Sequence, residues 1–208
     1  MRCTWNGEYE RASQRFGIPG NGTLADLQLE LVLAAMQVPF PELTDLRLSS
    51  DDFTAPAIPD SFLGGSASRL QFFFLDRIPF LGLPNLLLSA THLVLLWLTD
   101  ILCSRYISPE AMVAVLSVLS SLETLWLQLE SPQSHPDWET RHLPPLKRSI
   151  LPTLNDFRFD GVAEYLGDLV TLINAPHLNF LEITFFKENE INFDTQRLVQ
   201  FINRTPKL

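Results

Sequence analysis

Residues 122–127 of the chain read LETLWL and residues 93–98 read LVLLWL, with leucine at the first, fourth and sixth positions of both hexads. The fourth and sixth positions are two residues apart, so they point to the same side of a short strand, and the first leucine fills the turn leading into it. The same apolar pattern occurs in four more hexads, which read LTDLRL at 43–48, LQFFFL at 70–75, LNDFRF at 154–159 and LNFLEI at 178–183.

The spacing of the hexads indicates a repeat architecture. Their first leucines are 23 to 32 residues apart, and leucine-rich repeats have periods of about 20–29 residues. One such strand could not bury its apolar side chains alone, whereas stacked strands form a continuous core. We therefore predict an α/β fold, namely a leucine-rich-repeat solenoid of about six repeats over residues 23–208, with a parallel sheet on the inner face and helices or turns on the outer face. Leu208 would open another unit, so a C-terminal cap is expected to be missing.

Helix signals lie between the hexads. Ser108 is a predicted N-cap, with Pro109 at the first helical position and Glu110 in the first turn. Asp194 is a second predicted N-cap. Helices are also predicted over residues 24–37, 161–174 and 196–203, so strand and helix alternate along the chain.

Two segments do not follow the repeat. Residues 1–22 are polar and Gly-rich and are predicted to be poorly ordered. Residues 131–150, SPQSHPDWETRHLPPLKRSI, are predicted to be a Pro-rich loop insertion that lengthens the fourth unit. Loops that project from a rigid scaffold are common contact sites, but a harmless insertion is an equally good interpretation.

The ninth position of each unit lacks the Asn or Cys that many leucine-rich repeats use to tie the turn. We therefore expect the turns to be held by apolar packing. The residues at this position are Asp51, Ile78, Ile101, Glu130, Val162 and Phe186.

Side chains between the inward positions would face the other side of the sheet. Neighbouring parallel strands lie ~4.8 Å apart, so Phe74, Trp97 and Trp126 would form one row, and each can bury ~150–250 Å². Two alternatives remain: another part of the chain covers these rings, or helices pack on both faces of the sheet, as in most parallel sheets. The residues predicted to bind a partner protein are Arg47, Phe72, Phe74, Leu95, Trp97, Trp126 and Arg158.

Composition argues against several other classes of protein. The formal net charge is −9 and basic residues form no run, so nucleic acid is not an expected partner. Cys3 and Cys103 are the only cysteines and form no CxxC pair, which favours a reducing, intracellular compartment, cytoplasmic or nuclear. The apolar stretch of residues 86–98 is shorter than the ~20 residues of a membrane helix, so it is predicted to be core and no membrane association is expected.

The chain also lacks a recognisable catalytic pattern. The four histidines, His92, His135, His142 and His177, have no metal-ligand or triad spacing. Gly17, Gly20 and Gly22 follow no predicted strand and precede no Lys-Ser/Thr pair, so they do not indicate a phosphate loop. We therefore expect neither enzymatic activity nor a cofactor.

The stretches FPELTDLRLSS, THLVLLWLTDI, SLETLWLQLESP and APHLNFLEITFF, with the helix text ISPEAM, resemble the repeat region of fungal F-box/leucine-rich-repeat-like proteins. The resemblance covers residues 24–208. It implies the substrate-binding arm of an SCF-type ubiquitin ligase, in which an F-box docks on the cullin adaptor and the repeats bind the target. Residues 1–22 are too short for an LPxE-type F-box, so adaptor binding is not expected of this chain. The alternative is a truncated repeat fragment with a structural or interaction role and no ligase link.

Overall fold

The computed structural model describes residues 30–50, 57–80, 82–101, 107–129, 148–186 and 195–205. The predicted N-terminal segment, 1–22, lies outside them. The strands are β1 (Asp45–Ser49), β2 (Phe72–Asp76), β3 (Leu95–Ile101), β4 (Thr124–Leu129), β5 (Ser149–Ile150), β6 (Asp156–Gly161), β7 (Ile173–Asn174) and β8 (Phe180–Phe185). The helices are α1 (residues 30–35), α2 (Leu83–Ser89), α3 (Pro109–Leu116), α4 (Ala163–Leu172) and α5 (Thr195–Asn203), and Phe62–Gly65 form a 3-10 turn.

The six longer strands form one parallel sheet in the order β1-β2-β3-β4-β6-β8. The register is the same between every two neighbouring strands of this sheet. The fourth position of each hexad lies opposite the fourth position of the next hexad. The predicted α/β fold with a parallel sheet is therefore confirmed. The residues at this position are Leu46, Phe73, Leu96, Leu125, Phe157 and Leu181.

The turn that leads into each strand repeats its backbone hydrogen bonds. The carbonyl oxygen of Val94 accepts from the N–H groups of Glu123, at 2.8 Å, and Thr124, at 3.1 Å. Each unit thereby pairs polar groups of its neighbour's backbone. The same pair of bonds is accepted at the other junctions by the carbonyl oxygens of Thr44, Gln71, Glu123 and Asn155.

One apolar core lies on one side of this sheet. It contains the inward hexad residues together with buried residues of the helices, such as Met112 of α3, Leu166 of α4 and Phe201 of α5. Three hexad positions are only half-buried, because they belong to the first and last units of the described sheet and have a neighbouring unit on one side only. They are Leu43, Leu181 and Ile183.

The helices α2, α3, α4 and α5 pack side by side in that order. The predicted start of α3 is confirmed: the Ser108 hydroxyl accepts a hydrogen bond from the N–H of Ala111 at 3.2 Å, and Pro109 is the first helical residue. A hydrogen bond links helix α4 to the residue before this cap: the Tyr165 hydroxyl donates to the carbonyl oxygen of Ile107 at 2.9 Å. The predicted C-terminal helix matches α5, whereas its proposed cap, Asp194, lies outside the described residues.

A second, two-stranded sheet was not predicted. Ser149 and Ile150 pair in parallel with Ile173 and Asn174. The loop prediction for residues 131–150 is therefore wrong at its end, while residues 131–147 lie outside the described residues. The same pairing ends α4 at Leu172, two residues before the predicted end.

Four of the six ninth positions carry apolar side chains, and all four contact the core. Ile78 and Val162 are buried, and Ile101 and Phe186 pack against the core. The expectation that apolar packing holds these turns is thus confirmed at these four positions; Asp51 and Glu130 lie outside the described residues.

The apolar stretch of residues 86–98 is divided between the end of α2 and the start of β3. None of the helices in the described ranges is both long enough and apolar enough to cross a membrane.

Candidate functional site

The sheet has an open face, opposite the helices. Nearly all buried apolar residues of the described helices belong to the single core on the other side, so the alternative with helices on both faces does not match the described residues. All seven predicted partner-binding residues lie on the open face and are half-buried. The open face consists of Asp45, Arg47, Ser49, Phe72, Phe74, Asp76, Leu95, Trp97, Thr124, Trp126, Gln128, Asp156, Arg158, Asp160, Phe180, Glu182 and Thr184.

Three aromatic rings cross the middle of the open face, and we call Phe74, Trp97 and Trp126 the aromatic stripe. They lie opposite one another in register on β2, β3 and β4. The ring centroids of Phe74 and Trp97 are 5.4 Å apart, and those of Trp97 and Trp126 are 4.8 Å apart. Both distances lie within the range of favourable aromatic pairs. The stripe is therefore one continuous apolar surface, with Phe72 and Leu95 paired beside it.

The central ring of the stripe carries an unpaired polar atom. The Nε1 atom of Trp97 is buried and has no hydrogen-bond partner in the described parts of the chain. A buried donor without an acceptor costs about 1–3 kcal/mol. The indole N–H of Trp97 therefore adds nothing to the stability of this fold, and the ring contributes to it only through apolar contacts.

Arg158 lies at one end of the stripe and is held from several sides. Its guanidinium binds Asp156 through two hydrogen bonds of 3.2 Å and lies 3.6 Å from the carboxylate of Glu182. The guanidinium carbon is 5.6 Å from the ring centroid of Trp126 and 4.9 Å from that of Phe180. These distances are typical of cation–π contacts. The sequence interpretation did not include Phe180 in the site, although the ring is on the predicted face.

Arg47 lies at the other end of the stripe, opposite Phe74 in register. Its Nε atom is 3.3 Å from the carboxylate of Asp45. Both predicted arginines thus form an ion pair with the acidic residue two positions earlier on the same strand, Asp45 for Arg47 and Asp156 for Arg158. These pairs keep the guanidinium groups on the open face.

A polar network follows the carboxyl ends of β2 and β3. Arg77 Nε lies 3.1 Å from the carboxylate of Asp100, and Arg77 Nη2 lies 3.5 Å from that of Asp76. The Thr99 hydroxyl donates to Asp76 at 2.9 Å, and the Gln128 amide donates to Asp100 at 2.9 Å. This network borders the aromatic stripe on one side.

Sequence reasoning missed Arg77 and Asp100. Both have positive φ angles, 57° and 51°, in the left-handed region that non-glycine residues adopt only uncommonly. The strand register also shifts between Leu98 and Ile101. Strict alternation of side chains therefore fails at Asp100 in β3 and does not extend to Arg77, which follows β2. The hexad pattern carries no signal for either change.

We call Asp76, Asp100 and Asp160 the acidic border. Burial raises the pKa of the Asp76 carboxyl above its ordinary value, although the hydrogen bond from Thr99 and the charge of Arg77 lower it. Burial also raises the pKa of Asp160, and repulsion by Asp100 adds to this effect. No side chain of the described residues forms a hydrogen bond or ion pair with the carboxylate of Asp160. The described residues therefore neutralise the negative charge of the border only in part.

Comparison of the chain with protein-family models, curated proteins and solved structures finds no match. Across the described ranges, no group of three or more His, Cys, Asp or Glu side chains is placed to hold a metal ion.

Proposed function

We propose that this chain is a leucine-rich-repeat solenoid whose open face recognises another protein and that it does not catalyse a reaction. The aromatic stripe carries the proposal, because three large rings lie side by side on the face that the described helices leave uncovered. The equal register and the repeated turn hydrogen bonds at successive junctions support the repeat architecture.

The size of the apolar surface supports a protein partner. The largest apolar patch of a typical monomer is about 300–600 Å² and is often functional. The stripe with Phe72 and Leu95 could approach that size, although contacts between the rings already remove part of their area from water. Aromatic residues and arginine are also the residue types enriched in interface hot spots.

The polar groups of the open face are arranged for contact and not for chemistry. Arg47 and Arg158 are engaged by carboxylates of their own strands, and Arg77 is shared by Asp76 and Asp100. These charged groups border an extended sheet, whereas acid–base catalysis needs titratable groups that converge on a substrate.

The family resemblance extends the proposal to a role as the substrate-binding arm of an SCF-type ubiquitin ligase in the cytoplasm or nucleus. The alternative role is that of a repeat array with structural contacts only. Recovery of the cullin adaptor together with the chain would support the ligase arm, and recovery of targets without the adaptor would favour binding with no ligase link.

The test is affinity purification of the full chain from cells of the source organism. The proteins recovered with wild type, Trp126→Leu and Leu88→Ala are compared. Trp126→Leu truncates the stripe, and Leu88→Ala truncates an apolar residue that is 44% exposed on α2, on the helical side. We expect Trp126→Leu to lose partners that wild type and Leu88→Ala retain, with all three forms melting as folded proteins. Identical partner sets for Trp126→Leu and wild type would contradict the proposal.

A further inference from the structure

We infer that the partner offers a basic, extended segment whose arginine or lysine residues lie along the acidic border, one of them paired to Asp160, with neighbouring side chains on the aromatic stripe. This inference rests on the proposed function and specifies the chemistry of its partner.

The distribution of charge on the open face supports a cationic partner. The pairs Asp45–Arg47 and Asp156–Arg158 are internal. Among the described residues, in contrast, the acidic border, with its three carboxylates, has ion pairs with the guanidinium of Arg77 alone. None of the described side chains pairs with Asp160, and the like charge of Asp100 repels its carboxylate. A positive group from outside would therefore gain an ion pair without breaking one.

The net charge of the whole chain acts in the same direction. At −9, the chain attracts positively charged partners over distances longer than direct contact. Complementary charge of this kind raises the association rate and the selectivity of binding.

The aromatic rings of the open face already accept a guanidinium. Arg158 lies over Trp126 and Phe180 at 5.6 and 4.9 Å. Trp97 and Phe74 continue the same surface across β3 and β2, and the acidic border lies along one side of it. A basic side chain that approaches the border from the stripe would therefore meet ring faces along its aliphatic stem and a carboxylate at its end.

Strand spacing indicates the distance between the partner's basic residues. Asp76 ends β2 and Asp160 lies in β6, and β3 and β4 are the two strands between them. Three strand spacings amount to ~14 Å, which an extended peptide covers in about four residues. Residues four apart in an extended chain also point to the same side. The segment is therefore expected to cross the strands with basic residues about four positions apart.

The test uses a random dodecapeptide library displayed on phage and selected on the folded full chain. We expect selected peptides to carry arginine or lysine at two positions about four apart. Asp160→Asn is expected to weaken the best synthetic peptide about fivefold, and the loss in affinity should shrink with added salt. Glu164→Gln removes the same charge on the exposed side of α4 and is expected to leave affinity unchanged.

The outcomes separate this inference from the proposed function. Neutral or acidic peptides that bind wild type and fail on Trp126→Leu would overturn the basic partner and leave the open face as a binding surface. Peptides that bind wild type and Trp126→Leu equally would overturn both. A third outcome is that no peptide is selected and that sedimentation shows self-association, which Trp126→Leu abolishes. The open face would then join copies of this chain, and the inference of a basic partner would be overturned. Asp160→Asn introduces no change of volume, so it tests the inference even if Trp126→Leu unfolds the chain.

Discussion

Trp97 and Trp126 pack edge to face across the junction of β3 and β4, with their ring planes at 75°. Each ring removes part of the other from water, which accounts for their half-buried state on a face that carries no described helix. The contact stabilises the sheet, but the buried Nε1 atom of Trp97 has no hydrogen-bond partner among the described residues.

Replacement of Trp97 by Phe should therefore change stability little. The smaller ring loses apolar contact, but the substitution removes a buried donor that costs about 1–3 kcal/mol. We expect the free energy of unfolding in urea to stay within about 1 kcal/mol of wild type. Trp126→Phe is the matched control and should be the more destabilising, because Trp126 also contacts Arg158. A much larger loss for Trp97→Phe than for Trp126→Phe would show that its indole N–H is bonded after all.

Equivalent leucines of different hexads should differ in their contribution to stability. Leu125 is 0% exposed in the middle of the sheet, whereas Leu181 is half-buried in β8, the last described strand. Truncation of a fully buried leucine to alanine costs about 2–5 kcal/mol. We expect Leu125→Ala to fall in that range and Leu181→Ala to cost about half as much or less. Equal losses in denaturant titrations would mean that β8 is covered as completely as β4.

The start of α3 offers a test of local structure. Ser108→Ala removes the side-chain acceptor for the N–H of Ala111 and should destabilise the chain by about 1 kcal/mol. Ser117→Ala, at the other end of the same helix, removes only an exposed hydroxyl bonded to the carbonyl oxygen of Ala114. It should cost no more than about 0.5 kcal/mol. Thermal unfolding of both variants gives the comparison, and a larger loss for Ser117→Ala would argue against the cap.

The acidic border predicts a dependence of stability on pH. Burial raises the pKa of Asp160 above 3.8 in the folded state, so the folded chain holds this proton more tightly than the unfolded chain. The contribution of Asp160 to stability therefore falls as the pH rises from 3.8 through the raised pKa.

The substitution Asp160→Asn removes this penalty. We expect it to raise stability at neutral pH by up to about 0.5 kcal/mol, and we expect the gain over wild type to disappear below pH 3.8. Glu164→Gln, on the helical side, serves as the charge-matched control. Denaturant titrations between acid and neutral pH measure both variants. A gain that persists at acid pH would point to a cause other than ionisation of Asp160.

The hexads allowed the central architecture to be predicted. Because inward residues recur every second position and the units recur at regular spacing, the strands, their parallel order and their register follow from the apolar pattern. The cap at Ser108 was predictable too, because capping depends on residues close together in sequence. The placement of Trp97 and Trp126 on one face followed from the alternation of side chains along a strand.

Contacts that lie outside the repeated apolar pattern were not predictable. The β5–β7 pair joins segments on either side of β6, and neither segment has a strand-like pattern of its own. Likewise, the Arg77–Asp100 ion pair depends on left-handed backbone at both residues.

The amino-acid sequence by itself determined which side chains enter the core and which face the other side, because burial follows apolar periodicity and that periodicity is written along the chain. The tertiary structure alone decided what the outward side chains do to one another. It brought Arg158 over two rings, and among the described residues it left the Trp97 N–H without an acceptor and Asp160 without a paired cation. Such relationships depend on distances of a few ångströms between different strands, and the order of residues along one strand does not encode them.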